Sequence, residues 1–163
     1  MTHEIQLRDV IINDLPIFYE HQIDSDALAL AAHLPRDRDA FQAHWMELLS
    51  KESVIKKTIL FEDLVVGYVL SFVYFGVREV GYWIGKEYWG QGIATQALLE
   101  FLDQVPLRPL HASVAKHNHG SRRVLEKCGF RLVGEDKEFS NVGGNVVEGF
   151  VFELGMNDKD ARQ

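Results

Sequence analysis

The spacing of apolar residues over the first fifty positions predicts a strand and then helices. EIQLRDV, at 4–10, alternates as a short strand does. A first helix follows it, with Asn13 or Asp14 as the expected N-cap. The segment 24–38 is predicted as a helix that ends in a turn, because a proline and acidic residues interrupt its apolar positions. A clearer helix then carries an apolar face made of Phe41, Trp45, Leu48 and Leu49.

The rest of the chain alternates between strand and helix patterns. Three apolar runs in quick succession predict an antiparallel meander: VIKKTILF, VVGYVLSFVYF and VREVGYWIG. A helix from Ile93 to about Val105 is stopped by Pro106. LHASVA predicts a strand, and NHGSRRVLEKCGF predicts a helix whose left-handed end residue is Gly129. Two final strand patterns surround the turn-rich NVGGN.

This order of elements predicts the fold class. It is α/β, a mixed and mostly antiparallel seven-stranded sheet flanked by about four helices, with helices on both faces. The strand–helix–strand unit at 77–115 is expected to form a right-handed parallel crossover. Because no repeat or linker divides the chain, residues 1–163 are expected to form a single domain whose tail frays from about residue 156.

Composition and charge narrow the possible functions. The formal net charge of −7 argues against a nucleic-acid partner and agrees with an amine-bearing one. The apolar run at 64–77 is too short for a membrane helix, and no signal peptide is recognisable, so we expect no membrane association and a cytoplasmic location. Cys128 has no Cys or His partner at ligand spacing, and His117 and His119 are interpreted as exposed, so no metal site is expected.

Gly90-Gln91-Gly92 stands where a predicted strand must turn directly into a helix. Such a turn leaves backbone N–H groups without partners at the positive end of the helix dipole, which suits an anion such as a phosphate. A glycine lets a ligand approach the backbone closely because it has no Cβ atom. The spacing matches neither the P-loop nor the dinucleotide-binding fingerprint. From these residues alone, an anion site and a tight structural connection remain equal alternatives.

A second motif follows the next strand and favours the anion site. Asn118 and Ser121 lie at the start of the following helix, where they can cap it or reach into a cleft beside the glycine turn. Together, YWGQGIATQALLEFL and NHGSRRVLEKCGF resemble the GNAT superfamily of N-acetyltransferases, and most closely its branch that acetylates the N-termini of ribosomal proteins. The resemblance extends over residues 4–154, including the order of the elements, and implies the acyl-CoA N-acyltransferase fold.

The resemblance implies a binding site for acetyl-CoA as cosubstrate, without a metal. Two strands would splay apart and hold the pantetheine arm between them, paired with backbone near Trp83 and Ile84. Asn118 would hydrogen-bond this arm, and Arg123 would meet the nucleotide phosphates. The backbone amides expected to hold the pyrophosphate are those of Gln91, Gly92, Ile93, Ala94 and Thr95.

The resemblance is less specific about catalysis. Many family members carry a tyrosine as general acid where this chain has Leu125. Ser121 is the nearest candidate, as a hydroxyl that donates a hydrogen bond to the leaving thiolate, and its alternative role is to cap the helix. Glu79 is the candidate base, and its alternative is an exposed strand carboxylate. Tyr82, three residues on, points to the other face of the strand, so only one of these two side chains can face the cleft.

The sequence therefore predicts an acetyl-CoA-dependent N-acetyltransferase in which a primary amine attacks the thioester directly. The acceptor is either a protein N-terminus or a small-molecule amine. The segments 24–38 and 140–145 are expected to form the walls of the site that binds it. The alternative from another class is a non-catalytic acyl-CoA-binding sensor or interaction module. A binder of another phosphate-bearing metabolite is weaker, because the acidic ribose ligand and metal-binding residues are missing. The protein is expected to be a monomer or a homodimer.

Overall fold

A computed structural model describes residues 4–142 and 144–156. Its strands are β1 (Ile5–Asp9), β2 (Ile55–Phe61), β3 (Leu64–Tyr74), β4 (Val77–Ile84), β5 (Leu110–Ala115), β6 (Arg131–Val142) and β7 (Asn145–Leu154). Its α-helices are α1 (Leu15–Gln22), α2 (Ser25–Ala31), α3 (Arg38–Ser50), α4 (Ile93–Gln104) and α5 (His119–Lys127). The seven strands form one sheet in the order β1-β2-β3-β4-β5-β7-β6. The predicted fold class is thus confirmed.

The sheet is antiparallel except at its centre. β4 and β5 are neighbours and run parallel, as the predicted crossover through α4 requires. In the described part of the chain their register consists of one pair, Glu79 opposite His111. Beyond this pair the two strands separate, whereas β3 stays paired with β4 as far as Ile84. The splay expected from the family resemblance is therefore present, and it opens at Glu79.

Helices cover both faces of the sheet, and each face has its own apolar core. On one face, α4 and α5 pack against the sheet through fully buried side chains that include Leu98, Phe101 and Leu125. On the other face, α1 and α3 contribute Phe18, Phe41 and Trp45, which pack against Leu70 of β3. The face predicted for α3 is thus the buried one. Burial of large side chains of this kind is the main stabilising contribution to such a fold.

The segment 24–38 contains the predicted helix, α2, so the described residues form five α-helices where about four were expected. The Asp24 side chain accepts a hydrogen bond from the Ala27 backbone N–H at 2.9 Å and so begins the helix. Ala32, with φ +54°, ends it in a left-handed conformation. Asp37 then caps α3 through the Ala40 N–H at 2.8 Å. Two acidic caps thus explain why the acidic interruptions do not prevent helix formation.

Asp14 lies at the start of α1, but its side chain does not cap that helix. Its carboxylate instead accepts two hydrogen bonds from Arg8, each 2.8 Å long, and one from Thr58 at 2.6 Å. The backbone N–H of Ile11 adds a fourth, at 3.0 Å. Asp14 is buried, so it ties β1 and β2 to the beginning of α1. Asp14 thus occupies the predicted N-cap position, but its side chain makes these contacts instead of capping the helix.

None of the helices in the described ranges is long and apolar enough to cross a membrane. The frayed tail predicted from about residue 156 falls almost wholly outside the residues that the structure describes.

Candidate active site

An open cavity of about 430 Å³ lies beside the splay between β4 and β5. Its walls come from α2, the end of β4, the turn into α4, and the first two turns of α5. The size is in the range of small-molecule sites. Because the cavity meets β4 at Tyr82 and Trp83, which point to opposite faces of the sheet, it gives access to both faces at the splay.

The glycine turn forms one end of this cavity. Gly90 and Gly92 have φ angles of +78° and +77°, a left-handed conformation that favours glycine. A Cβ atom at either position would meet no protein atom within 4 Å, so no packing constraint calls for glycine there. The space beside the backbone is therefore open to a ligand.

The first turn of α4 presents unused hydrogen-bond donors to the cavity. Gly92 is the N-cap residue and has no side chain with which to cap the helix. The first backbone N–H bonded within the helix is that of Gln96, which donates to the Gly92 carbonyl at 3.1 Å. The N–H groups of Ile93, Ala94 and Thr95 precede it, and these three residues line the cavity. The first turn also lacks acidic residues, so the site attracts an anion.

The start of α5 forms the adjoining wall. Asn118 caps this helix, because its Oδ1 accepts a hydrogen bond from the Ser121 N–H at 3.2 Å. The hydroxyl group of Ser121 is therefore not the cap, and it lines the cavity instead. Arg123 and Lys127 are exposed and lie one and two turns further along the same wall. They add positive charge beside the first turn of α4.

Tyr82 and Glu79 lie on opposite faces of β4, as the strand alternation predicts. Tyr82 lines the cavity, and its hydroxyl group donates to Ser121 Oγ at 3.0 Å. Glu79 does not line it. It shares a face with Trp83 and with Gly81, where a Cβ atom would meet nothing within 4 Å. Open space therefore separates Glu79 from Trp83 along the strand.

Glu79 belongs to a group of titratable side chains at the foot of the splay. Burial raises its pKa, His111 beside it lowers the pKa, and Asp136 raises it again, so that the net shift is upward. Nε2 of His111 lies 3.0 Å from a carboxylate oxygen of Glu153 on β7. Nδ1 of His111 is buried and has no hydrogen-bond partner among the described residues. The group combines a carboxyl that holds its proton more tightly than usual with an imidazole beside it.

Helix α2 is fixed over the cavity by contacts at three places. Asp26 forms an ion pair with Lys86, which follows β4. The Ala29 carbonyl lies 2.9 Å from Nε2 of His117, which follows β5. Ser140 of β6 donates to the Ala32 carbonyl at 2.6 Å. The helix thus bridges both sides of the splay and presents Ala27, Leu30 and Ala31 to the cavity as an apolar wall.

Comparison with known proteins identifies the family. The profile of the Acetyltransferase (GNAT) domain matches residues 4–131. The chain belongs to the GNAT acetyltransferase family. The uncharacterized N-acetyltransferase p20 of Bacillus licheniformis is 26% identical over 83 residues, which are 48% of this chain and 47% of p20. The chain therefore spans about half the length of this curated relative, and two further curated relatives match over 38% of their length.

Solved structures share the fold of this GNAT protein over nearly its whole length. The spermidine N-acetyltransferase of Vibrio cholerae, in complex with CoA and spermine, has a TM-score of 0.83 at 17% identity, covering 94% of this chain and 96% of that one. RimL, a ribosomal L7/L12 α-N-protein acetyltransferase in complex with CoA, has a TM-score of 0.80 at 15% identity, covering 94% and 95%. At these identities the similarity establishes the fold and leaves the branch a prediction.

The residues of the cavity fit the acyl-CoA that a GNAT protein is expected to bind. Three unused N–H donors and two cations face one end, where the pyrophosphate would lie. Among the residues that the sequence predicted for cofactor binding, those lining the cavity are Trp83, Ile84, Gly92, Ile93, Ala94, Thr95, Asn118 and Arg123. Gln91 does not line it, although both neighbouring glycines do. Each assigned role stays a prediction.

Several features of the site could not be found in the sequence. The contact between Tyr82 and Ser121 depends on tertiary packing. The wall from α2, in contrast, falls in the segment 24–38, where a wall was expected, whereas the described residues of 140–145 do not line the cavity. Trp89, at the turn into α4, also borders the cavity, and its Nε1 donates to the Ile84 carbonyl at 2.9 Å, which braces the turn. In the described ranges, no group of three or more His, Cys, Asp or Glu residues is arranged to hold a metal ion.

Proposed function

We propose that this GNAT protein transfers the acetyl group of acetyl-CoA to a primary amine by direct attack, without a covalent enzyme intermediate. The observation that carries the proposal is the cavity beside the splay of β4 and β5. On one side of the sheet it joins the glycine turn and the start of α4, which suit the pyrophosphate. On the other side the splay opens at Glu79 and His111, which suit the amine.

The acyl-CoA supplies an activated thioester, and the protein residues bind and orient it. The N–H groups of Ile93, Ala94 and Thr95 would hold the pyrophosphate, with Arg123 beside them. The amide nitrogen of Asn118 would donate to the pantetheine arm, since its Oδ1 is already used as the helix cap. The hydroxyl group of Ser121 would donate to sulfur, where negative charge develops as the thiolate leaves.

The acceptor must lose a proton before or during attack. An α-amino group, with an ordinary pKa of about 7.7 to 8.0, is partly neutral at pH 7, whereas a lysine near 10.4 is mostly charged. A modest base therefore suffices for an α-amine. Glu79 is the proposed base, directly or through water, and the raised pKa of its half-buried carboxyl brings its basicity closer to that of the amine.

The acceptor class is proposed as a cationic amine, either a protein N-terminus or a small polyamine-like molecule. The carboxylates of Glu79, Asp136 and Glu153 lie around the foot of the splay and would attract it. The two solved structures compared above include one with spermine and one of a protein N-terminal acetyltransferase, so both classes occur on this fold. The ribosomal-protein branch remains the prediction of the sequence motifs.

Thiol release from acetyl-CoA tests the proposal. The purified chain is given peptides with free N-termini, polyamines, amino acids and aminoglycosides, and free thiol is measured together with the mass of the acetylated product. A primary amine that is acetylated with saturation kinetics would support the proposed reaction. Binding of acetyl-CoA without thiol release across the panel would favour the non-catalytic binding module. Failure to bind acetyl-CoA would contradict both.

A further inference from the structure

The hydroxyl groups of Tyr82 and Ser121 lie 3.0 Å apart, although 39 positions separate the two residues in the sequence. Tyr82 extends from β4 toward the first turn of α5, and both side chains line the cavity. The reaction proposed above assigns no role to Tyr82. A direct contact between it and the residue expected to donate to sulfur calls for a physical explanation.

The number of available protons makes this contact informative. A serine hydroxyl has one proton to donate and two lone pairs that accept. Because Asn118 caps α5, the hydroxyl group of Ser121 is not needed by the helix backbone. When the Tyr82 hydroxyl donates to Ser121 Oγ, one lone pair is occupied and the single serine proton remains available to the cavity. The donated bond also polarises the serine O–H bond and strengthens it as a donor.

Tyr82 is suited to remain the donor. Burial raises the pKa of its hydroxyl group, the hydrogen bond to Ser121 lowers it, and the Cys128 thiol raises it, with a net value of about 12. The phenol therefore stays protonated throughout the pH range of an ordinary assay. The other titratable groups that face this part of the cavity are Tyr88, Arg123 and Lys127.

We propose that Tyr82 is a positioning residue, which holds Ser121 so that the serine proton points to the sulfur of the leaving coenzyme A. This inference rests on the proposed function. In the step concerned, the amine nitrogen bonds to the acetyl carbon, the carbon–sulfur bond breaks, and its electron pair stays on sulfur. The thiolate accepts a hydrogen bond from Ser121 and then takes a proton from solvent, while the proton of the amine passes to the base. Ser121 ends the step with its own proton.

A binding experiment tests the inference without an acceptor amine. Dissociation constants of CoA and of desulfo-CoA, which lacks the sulfur, are measured between pH 7 and pH 9 under reducing conditions. In the native protein we expect the affinity for CoA to rise about tenfold relative to the affinity for desulfo-CoA as the pH passes the thiol pKa near 8.5, because a hydrogen bond to an anion favours the thiolate. Arg123 and Lys127 are kept in the native protein and in the variants below, so any attraction of these cations for the thiolate is common to all of them and a difference between them reports the hydroxyl groups.

The variants separate the two hydroxyl groups. Ser121→Ala and Tyr82→Phe are each expected to lose most of the pH-dependent preference for CoA. Tyr68→Phe serves as the matched control, since it removes a buried phenol on the neighbouring strand and should keep the preference. Ser121→Thr retains a hydroxyl group and should keep the preference within about threefold. If Tyr82→Phe is less stable than the control, the comparison of Ser121→Thr with Ser121→Ala still decides whether the serine proton acts on sulfur.

Turnover of an acetylated amine adds the second test. Ser121→Ala should lower kcat about tenfold with little change in the KM for acetyl-CoA, and the double variant with Tyr82→Phe should be no slower than Ser121→Ala alone. A double variant whose loss is the product of the two single losses would overturn the positioning role, as would a Tyr82→Phe variant that behaves like the control. Absence of CoA binding in the native protein would instead contradict the proposed function itself.

Discussion

Glu79 on β4 and His111 on β5 lie opposite each other at the point where the two central strands stop pairing. Both side chains point to the face of the sheet away from α4 and α5, because each alternates with residues buried in that core. Glu153 on β7 contacts His111 from the other side. A carboxylate, an imidazole and a second carboxylate thus follow one another across three strands at the foot of the splay.

Replacing Glu79 by Gln should lower kcat/KM about 100-fold at pH 7, because a positioned base contributes at least this much. Burial raises the pKa of Glu79, so in the native protein the active, ionised carboxylate forms only as the pH rises above the ordinary range of glutamate. In the variant, the rise of the rate with pH should no longer show the ionisation of Glu79 and should still show that of the acceptor amine. Steady-state kinetics between pH 5 and pH 9 measure kcat/KM and its dependence on pH.

Glu100→Gln is the control for this experiment, since Glu100 is exposed on α4 and does not line the cavity. The Glu79 variant should also be at least as stable as the native protein at neutral pH, because a raised carboxyl pKa means that folding disfavours the charged form. A rate within about threefold of the native value would remove Glu79 from the mechanism.

Replacing Gly92 by Ala should weaken acetyl-CoA binding at least tenfold, because the new methyl group would stand where the ligand approaches the first turn of α4. The left-handed φ of +77° also costs about 1 to 2 kcal/mol of stability for any residue with a Cβ atom. Gly76→Ala is a matched control, since Gly76 has a φ of +76° and equally open surroundings but lies in the turn between β3 and β4. Calorimetric binding and thermal unfolding of both variants are the measurements. Equal losses of affinity would contradict a role for the glycine turn.

Replacing Ser140 by Ala should loosen α2 at its C-terminal end, because the Ala32 carbonyl loses the hydroxyl donor that lies 2.6 Å away. Since α2 forms the apolar wall of the cavity, we expect the KM of the amine to rise about three- to tenfold, as for the loss of one hydrogen bond, while the KM of acetyl-CoA changes less.

Ser50→Ala provides the comparison. Its hydroxyl group donates to the Glu47 carbonyl at 2.7 Å near the end of α3, away from the cavity. The Ser50→Ala substitution removes the same type of hydrogen bond and should leave the KM values of the amine and of acetyl-CoA unchanged. A similar rise in both variants would show that the effect is not specific to the wall.

Asp14→Asn should destabilise the fold by about 3 kcal/mol at pH 7, the lower end for breaking a buried ion pair, because Arg8 is partly exposed and can be rehydrated. Burial alone would raise the pKa of Asp14, but the hydrogen bonds from Arg8, Ile11 and Thr58 lower it overall. A lowered pKa in the folded state adds stability above the unfolded value near 3.9, and this stability is lost as the pH falls through the folded value.

Urea unfolding between pH 2 and pH 7 measures the free energy of unfolding of both proteins. The difference in this free energy between the native protein and Asp14→Asn should become smaller toward low pH. Asp9→Asn is the matched control. Asp9 pairs with Lys57 at 2.7 Å but is largely exposed, so its loss should cost about 1 kcal/mol or less. A difference for Asp14 that stays constant with pH would contradict the lowered pKa.

Local patterns sufficed for most of the fold and for one end of the site. The apolar face of α3 is buried as predicted, since helical periodicity alone determines which side chains share a face. Gly129, with φ +94°, ends α5, and the Phe130 N–H donates to the Leu125 carbonyl at 3.0 Å, as the motif predicts. The positive φ angles of Gly90 and Gly92 follow from the same local rules.

Tertiary structure decided the rest, because periodicity assigns a side chain to a face without naming its partner. Strand alternation placed Tyr82 and Glu79 on opposite sides, but only the packing of α5 on β4 brings Tyr82 to Ser121. Asp14 takes one of the two predicted N-cap positions, but its side chain bonds to Arg8 and Thr58 and does not cap the helix. The sequence by itself thus determined the elements, their order and the glycine turn, which depend on neighbours along the chain. The pairing of Tyr82 with Ser121 and that of Glu79 with His111 depend on contacts between distant segments, which only the folded chain creates.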